Sequence, residues 1–253
     1  MPLTKNRLHK EKWNMKNNCT AKYTAIYILS TLLLAINSTP LFADAICQLE
    51  TLENSAQRLK QEGWEEHFKD DEITVYNRTA SDSDIREVLA TTVFTIPAKD
   101  IFNTLSDYPK YVEFMPYIEK STVIKQNENS TTLFQLLNFP LPISDRYFVI
   151  ELTSITDSNK NHKISWTLAS EVNTPQAESG IALIKDDGYW KLCSIQSNNS
   201  TYIEYFIHTD PGGIIPTWIV NQVNSQAVPD VLRALNERTI EINRTQTADT
   251  END

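Results

Sequence analysis

A chain of 253 residues, 40% of them hydrophobic and 22% charged, is long enough to bury a substantial core, and with only five glycines it is neither fibrous nor low-complexity. Its formal charge of −10 argues against a nucleic-acid partner, whose phosphates require clustered Lys and Arg.

The first feature in the chain is a short apolar run, 25–36, preceded by Lys16 and Lys22 and followed by Ala43-Asp44-Ala45. Such a run is too short to cross a bilayer comfortably, and a basic leader with a small-residue cut site marks a secretory signal peptide. We therefore expect residues 1–45 to be a signal peptide cut after Ala45, with translation starting at Met15, whose Lys16-Asn17-Asn18 makes a normal leader. The protein is then exported, to a periplasm or to the exterior. Ile46 directly before Cys47 argues against a lipid anchor, where a small residue is wanted. The cut leaves 17 basic and 31 acidic residues, a charge of −14, which does not favour anionic membrane surfaces. Cys47 and Cys193 remain, and an exported pair can form a disulfide; a buried free thiol in the strand-like run around Cys193 is the open alternative.

A helix is expected from Ile46, Leu49, Leu52, Ala56 and Leu59, ending before Gly63. Runs rich in β-branched and aromatic residues at 64–68, 73–77 and 85–94 read as strands separated by polar turns. A Pro-initiated helix at 96–105 follows, and 111–114 adds a further helical turn. Seven more strands are expected, at 118–126, 131–139, 146–155, 163–172, 180–185, 189–195 and 201–209. Asp210-Pro211-Gly212-Gly213 reads as a tight turn. After it, Ile215, Trp218, Ile219, Gln222, Val223, Gln226 and Ala227 recur at helical spacing, and Val231, Leu232 and Leu235 extend the stripe past Pro229, where the helix should bend or step. The polar stretch 241–253 reads as a disordered tail. The whole is one α+β domain over 46–240, a curved antiparallel sheet whose apolar face only the last helix can cover. Periodicity leaves open whether sheet and helix enclose a cavity or a solid core.

Within that sheet, alternation puts Ile164, Trp166 and Leu168 on one strand face, and Ile203, Tyr205 and Ile207 on another, with Trp218 and Val223 meeting them from the helix. Tyr205, Glu204 or His208 could supply a polar handle for a ligand. Catalytic signals are thin. His67, His162 and His208 stand far apart, His208 and Asp210 do not make a metal site, and no nucleophile elbow or phosphate loop occurs. Asp186-Asp187-Gly188 and Asp70-Asp71 read as turns with solvated carboxylates. The expectation is a non-enzyme with no metal or cofactor.

Trp64, Ile73 to Tyr76, Phe114-Met115-Pro116, the run from Phe139 through Pro142, Ser144-Asp145-Arg146, Tyr189-Trp190, Asp210-Pro211-Gly212-Gly213 and Trp218 occur in an order that resembles the START lipid-transfer family across roughly 47–240. The resemblance implies a helix-grip fold of nine antiparallel strands around the C-terminal helix, with a cavity for one lipid. It implies a lid from the loop after Phe139 and the start of the last helix, gated by Phe139, Leu141, Ile214 and Ile215. The family's Arg-Asp pair falls on Arg146 and Tyr147, so Arg146 is read as structural, holding a loop or the Asp145 carboxylate. Positions that often carry an acid and a base in the family's cavity fall on Leu136 and Leu152. That implies a less polar cavity, suited to a sterol, isoprenoid, fatty acyl or quinone-like ligand more than to a phospholipid head. The implied function is carriage of one lipid between membranes with transient membrane contact. Two alternatives stand beside it: a START-like polyketide cyclase or quinone-binding protein, suggested by Tyr108-Pro109-Lys110-Tyr111, and a periplasmic interaction module with a filled core.

Overall fold

Strand pairing from both ends of the chain closes on one sheet in the computed structural model, which describes residues 46–47, 52–70, 72–139, 144–169, 180–195 and 199–250. Helix α1 (Leu52–Gln61) leads into β1 (Glu65–Lys69), β2 (Ile73–Arg78) and β3 (Glu87–Phe94). Helix α2 (Ala98–Ser106), a 3₁₀ turn (Tyr108–Lys110) and α3 (Tyr111–Phe114) form the helical insert. Then come β4 (Ile118–Gln126), β5 (Ser130–Leu137), β6 (Arg146–Thr156), β7 (His162–Leu168), β8 (Ile181–Ala182), β9 (Lys185–Ile195), β10 (Ser200–Asp210) and α4 (Thr217–Thr250). The sheet order is β1-β2-β3-β10-β9-β7-β6-β5-β4. The last strand therefore joins the two runs, pairing antiparallel with β3 on one side and β9 on the other. Nine antiparallel strands are as the helix-grip reading requires, and the two-residue β8 adds a short parallel pairing on β6.

One boundary changes the chemistry. The turn expected at Asp186-Asp187-Gly188 is instead the start of β9, paired residue by residue with β10, so that Asp186 faces Thr209 and Asp187 faces His208. Strand periodicity then sends Asp186 to one face of the sheet and Asp187 to the other. Only Asp187 is solvated in the way expected of both.

Helix α4 runs 34 residues, a length of about 50 Å. Val220, Ser225, Val228, Pro229, Leu232, Leu235 and Thr239 are its buried residues among those described, and its polar anchors are specific: Ser225 Oγ donates to Asn77 Oδ1 at 3.2 Å and Thr239 Oγ1 to Thr104 Oγ1 at 3.1 Å. The helix continues through Pro229 and up to Thr250, so residues 241–250 are helical rather than a disordered tail. Their polar composition is reconciled with a helix by local bonds. Thr245 and Thr247 return their hydroxyls to the carbonyls of Glu241 and Asn243, and Asn243 Nδ2 donates to Asp100 Oδ2 at 3.2 Å. The residues of 1–45 and 251–253 lie outside those described, and with them the proposed signal peptide.

Two apolar clusters sit on opposite faces of the sheet. The larger, under α4, includes Val75, Leu133, Ile164, Trp190, Ile203 and Leu235, while Leu59 of α1 joins Trp64, Tyr76 and Leu89 in the smaller. Near α1, Cys47 and Cys193 of β9 form a disulfide with Cα atoms 5.8 Å apart. That settles the pairing that the sequence left open.

Candidate functional site

The larger cluster is not solid. Between α4 and the sheet lies a cavity of about 190 Å³. Every second residue of the strands reaches it: Leu133, Gln135 and Leu137 from β5, Ile150 and Leu152 from β6, Ile164 and Trp166 from β7, Tyr205, Ile207 and Thr209 from β10. Val223, Asn224, Ala227 and Val231 close it from α4. A second void of about 50 Å³ shares Leu137, Phe139, Leu183, Thr209, Val223 and Asn224 with the first and extends to Pro211, Ile215 and Ile219. The voids together form a path from the strand centres to the start of α4. Even so, the main cavity falls below the roughly 300 Å³ at the lower end of ligand sites, so any ligand of ordinary size would have to widen it on entry.

One ionisable carboxyl stands in this wall. Asp186 is 7% exposed, accepts from the indole Nε1 of Trp166 at 3.1 Å and from the Thr209 hydroxyl at 2.6 Å, and lines the cavity. Burial pushes its pKa up from the ordinary 3.8 to about 6, against those two hydrogen bonds, which pull the other way. Tyr205 stacks on Trp190 with ring centroids 3.8 Å apart and tilts against Trp166 at 6.3 Å, so three aromatic rings stand beside the carboxyl. Among the described lining residues there is no Lys, Arg or His. Among the described residues as a whole, no group of three His, Cys, Asp or Glu could hold a metal.

The turn before α4 is held from below by Arg146, which is 2% exposed. Its Nε donates to the Pro211 carbonyl at 2.6 Å and its guanidinium also to the carbonyls of Gly212, Ser144 and Asp145. The structural role expected of Arg146 is thus met through backbone carbonyls, not through the Asp145 carboxylate. Gly212 and Gly213 both take positive φ, 64° and 78°, and a Cβ at either would press on the Ile184 side chain or on Arg146 and Ile181. Around this turn Ile181, Ile184, Ile214 and Trp218 are exposed, Ile214 fully and Trp218 by 67%.

Residues 94–236, more than half of the chain, match the family described as "Polyketide cyclase / dehydrase and lipid transport". The chain belongs to that family. It is a START-domain protein, and its solved structural neighbours share the helix-grip fold. A STAR-related lipid transfer protein from Xanthomonas axonopodis is 22% identical with a TM-score of 0.63, covering 70% of this chain and 98% of that one. Human STARD10 is 14% identical with a TM-score of 0.67, covering 85% of this chain and 89% of that one. In sequence, the phosphatidylcholine transfer protein of Bos taurus is 25% identical over 43% of the chain, which spans about half (52%) of that relative's length.

Within the START fold, Leu152, Trp166, Tyr205 and Val223 line the cavity, and Phe139 and Ile215 line the path toward the turn. Several expected residues do not. Leu136 is buried on the opposite face of β5, one residue out of register, and Gln135 takes the inward position, so the cavity is more polar there than the reading of Leu136 implied. Leu168 packs against the apolar cluster without lining the cavity. Trp218 and Ile214 point to solvent, because the inward stripe of α4 passes through Val220, Val223, Asn224 and Ala227 instead. Leu141 falls outside the described residues.

Both proposed handles beyond Tyr205 belong to the other face of β10. Glu204 is buried among Arg58, Lys191, Tyr202 and Tyr189, and His208 Nε2 contacts the Ile85 carbonyl at 3.1 Å. Strand alternation already separates them from Tyr205. Asp186 is the site residue that sequence reading missed. The signal was present in the same alternation, since Asp186 is four residues from Trp190 and so shares its face once the strand is extended by one turn's worth of residues.

Proposed function

We propose that this START-domain protein binds one hydrophobic lipid in the cavity under α4 and carries it between membranes without chemical change. The observation that carries this reading is the pair of voids running from the aromatic wall of β7, β9 and β10 to Ile215, beside a turn ringed by exposed apolar side chains. The phosphatidylcholine transfer proteins and STAR-related structures among its relatives support lipid as the cargo class. Burying an acyl chain contributes about 0.8 kcal/mol per methylene, much as a bilayer does, so the protein need only match the membrane and ease desorption.

Carriage is favoured over cyclisation because the described lining offers one carboxyl and no imidazole or amine beside it to complete an acid–base pair. Export to a periplasm or the exterior is part of the proposal, supported by the signal-like N-terminus and by the Cys47–Cys193 disulfide, a bond of oxidising compartments. Ile214, Trp218, Ile184 and Ile181 make the transient membrane contact, and Phe139 and Ile215 form the gate.

The test is transfer of a fluorescent lipid between neutral vesicles. Replacing Ile214 and Trp218 together by Glu should slow transfer about tenfold or more, since two side chains lose their apolar burial, while thermal unfolding stays unchanged. Native mass spectrometry of the purified protein should show one bound lipid. Unaltered transfer by the double variant removes the docking surface, and failure of the parent protein to take up any lipid removes the carrier reading itself.

A further inference from the structure

Asp186 ties β9 to Trp166 of β7 and Thr209 of β10, but those bonds do not use all of its carboxylate. Its carboxylate has about four acceptor sites, of which Trp166 Nε1 and the Thr209 hydroxyl occupy two. Burying a carboxyl in an apolar wall costs free energy unless something else meets it. The strand surrenders further packing to keep it there. Gly188, two residues on, has no room for a Cβ, which would lie 2.2 Å from Trp166 Cζ2, so the indole lies across the glycine as it reaches Asp186. Position within the cavity is equally informative. Thr209 and Asn224 line both voids, and Asn224 Nδ2 donates to the Thr209 carbonyl at 3.0 Å. The polar group therefore marks the junction where the path from the gate meets the apolar chamber of Ile150, Leu152 and Ile164.

We propose that Asp186 anchors the cargo by accepting a hydrogen bond from its head, so that the ligand is an uncharged, hydroxyl-bearing lipid held with its head at the Asp186–Thr209–Asn224 junction and its tail among Ile150, Leu152 and Ile164. This rests on the lipid-carrier reading and adds to it a ligand class and an orientation. A hydroxyl donates where the carboxylate has free acceptors. A carboxylate or phosphate head would instead confront Asp186 with no Lys, Arg or His among the described lining residues to offset it. The raised pKa of Asp186, about 6, agrees with a carboxyl that lacks any cationic partner, and leaves it ionised and accepting above that pH.

Three pyrene-labelled probes sharing one hexadecyl chain and ending in a hydroxyl, a methyl ether or a carboxylate separate these terms at about pH 8 with delipidated protein. The parent protein should bind the alcohol about tenfold more tightly than the ether, the worth of a hydrogen bond to a charged acceptor, and the carboxylate most weakly. Asp186→Leu should erase the advantage of alcohol over ether. Asp186→Asn, which keeps the shape and one acceptor oxygen but no charge, should improve carboxylate binding about tenfold and also cut the advantage of alcohol over ether severalfold, the second of which a merely structural Asp186 would not produce. If circular dichroism shows that the Leu variant does not fold, the Asn result decides alone. Equal binding of all three probes by the parent, or carboxylate binding unmoved in the Asn variant, overturns the anchor and leaves the carrier reading standing. No binding of any probe by the parent overturns both.

Discussion

At Gly188 a single missing methyl decides the shape of the cavity wall. An added Cβ would meet the Trp166 ring at 2.2 Å and the Phe206 carbonyl at 2.6 Å. The backbone neighbour cannot yield as a flexible side chain would, so Gly188→Ala should cost about 2 kcal/mol in urea unfolding and alter Trp fluorescence by displacing the indole. Asp186 makes a second prediction at this scale. Its folded pKa of about 6 lies above the ordinary 3.8 because burial disfavours the charge. Below 3.8 both folded and unfolded chains hold the proton. As pH rises from about 4 to about 6 the unfolded chain gives it up first, so stability is lost over that window, on the order of 3 kcal/mol, and is level above it. Asp70 slopes the other way, since the amides of Ile73 and Glu72 lower its pKa and its contribution is lost as pH falls. Urea midpoints of the parent protein minus those of Asp186→Asn isolate the first slope, and a flat difference between about pH 4 and 6 would contradict the buried, unpaired carboxyl.

On the scale of elements, α4 explains both what was legible and what was not. Its existence follows from helical periodicity after a Gly-Gly turn, and Val223, Ala227, Val231, Leu232 and Leu235 were assigned to the correct side. Trp218, Gln222 and Gln226 share the same helical spacing but are exposed, because spacing alone does not fix which edge of the stripe faces the sheet. Here the first turn carries two apolar surfaces, one over the sheet through Val220 and one facing solvent through Trp218. A functional apolar face is indistinguishable from a core face in a single sequence. Val223 lines both voids, which makes it the position at which to block them. Val223→Trp should abolish lipid uptake with little change in thermal stability, because the added ring enters existing space; retained uptake would mean that cargo sits elsewhere. The strands show the same division. Register on β7 and β10 follows from alternation, whereas Leu136 is reached only by counting from Arg146 along the family resemblance, and an offset of one residue there moves the side chain to the other face.

For the molecule as a whole, the order of elements and the ordered START markers carried the fold, while the disulfide could not be read from two cysteines alone. Cys47 and Cys193 are 146 residues apart, so their bond ties the start of the described chain to the strand that holds Asp186 and Trp190. In the chain-entropy account a loop of that length is worth about 5 kcal/mol, and Cys193→Ser should lower the urea midpoint accordingly while leaving cavity binding intact under native conditions. If the proposed signal peptide is cut after Ala45, Cys19 goes with it and the denatured protein should show no free thiol. The consequence is temporal. Before oxidation the polypeptide lacks a bond worth a large part of a typical domain's total stability, so under the proposal of export it would travel in its less constrained form. Once the bond closes, the same residues gain a constraint that unfolding alone does not remove. If the chain is exported as proposed, the cystine works as a latch between transit and service, fastened onto a cargo chamber that folds without it.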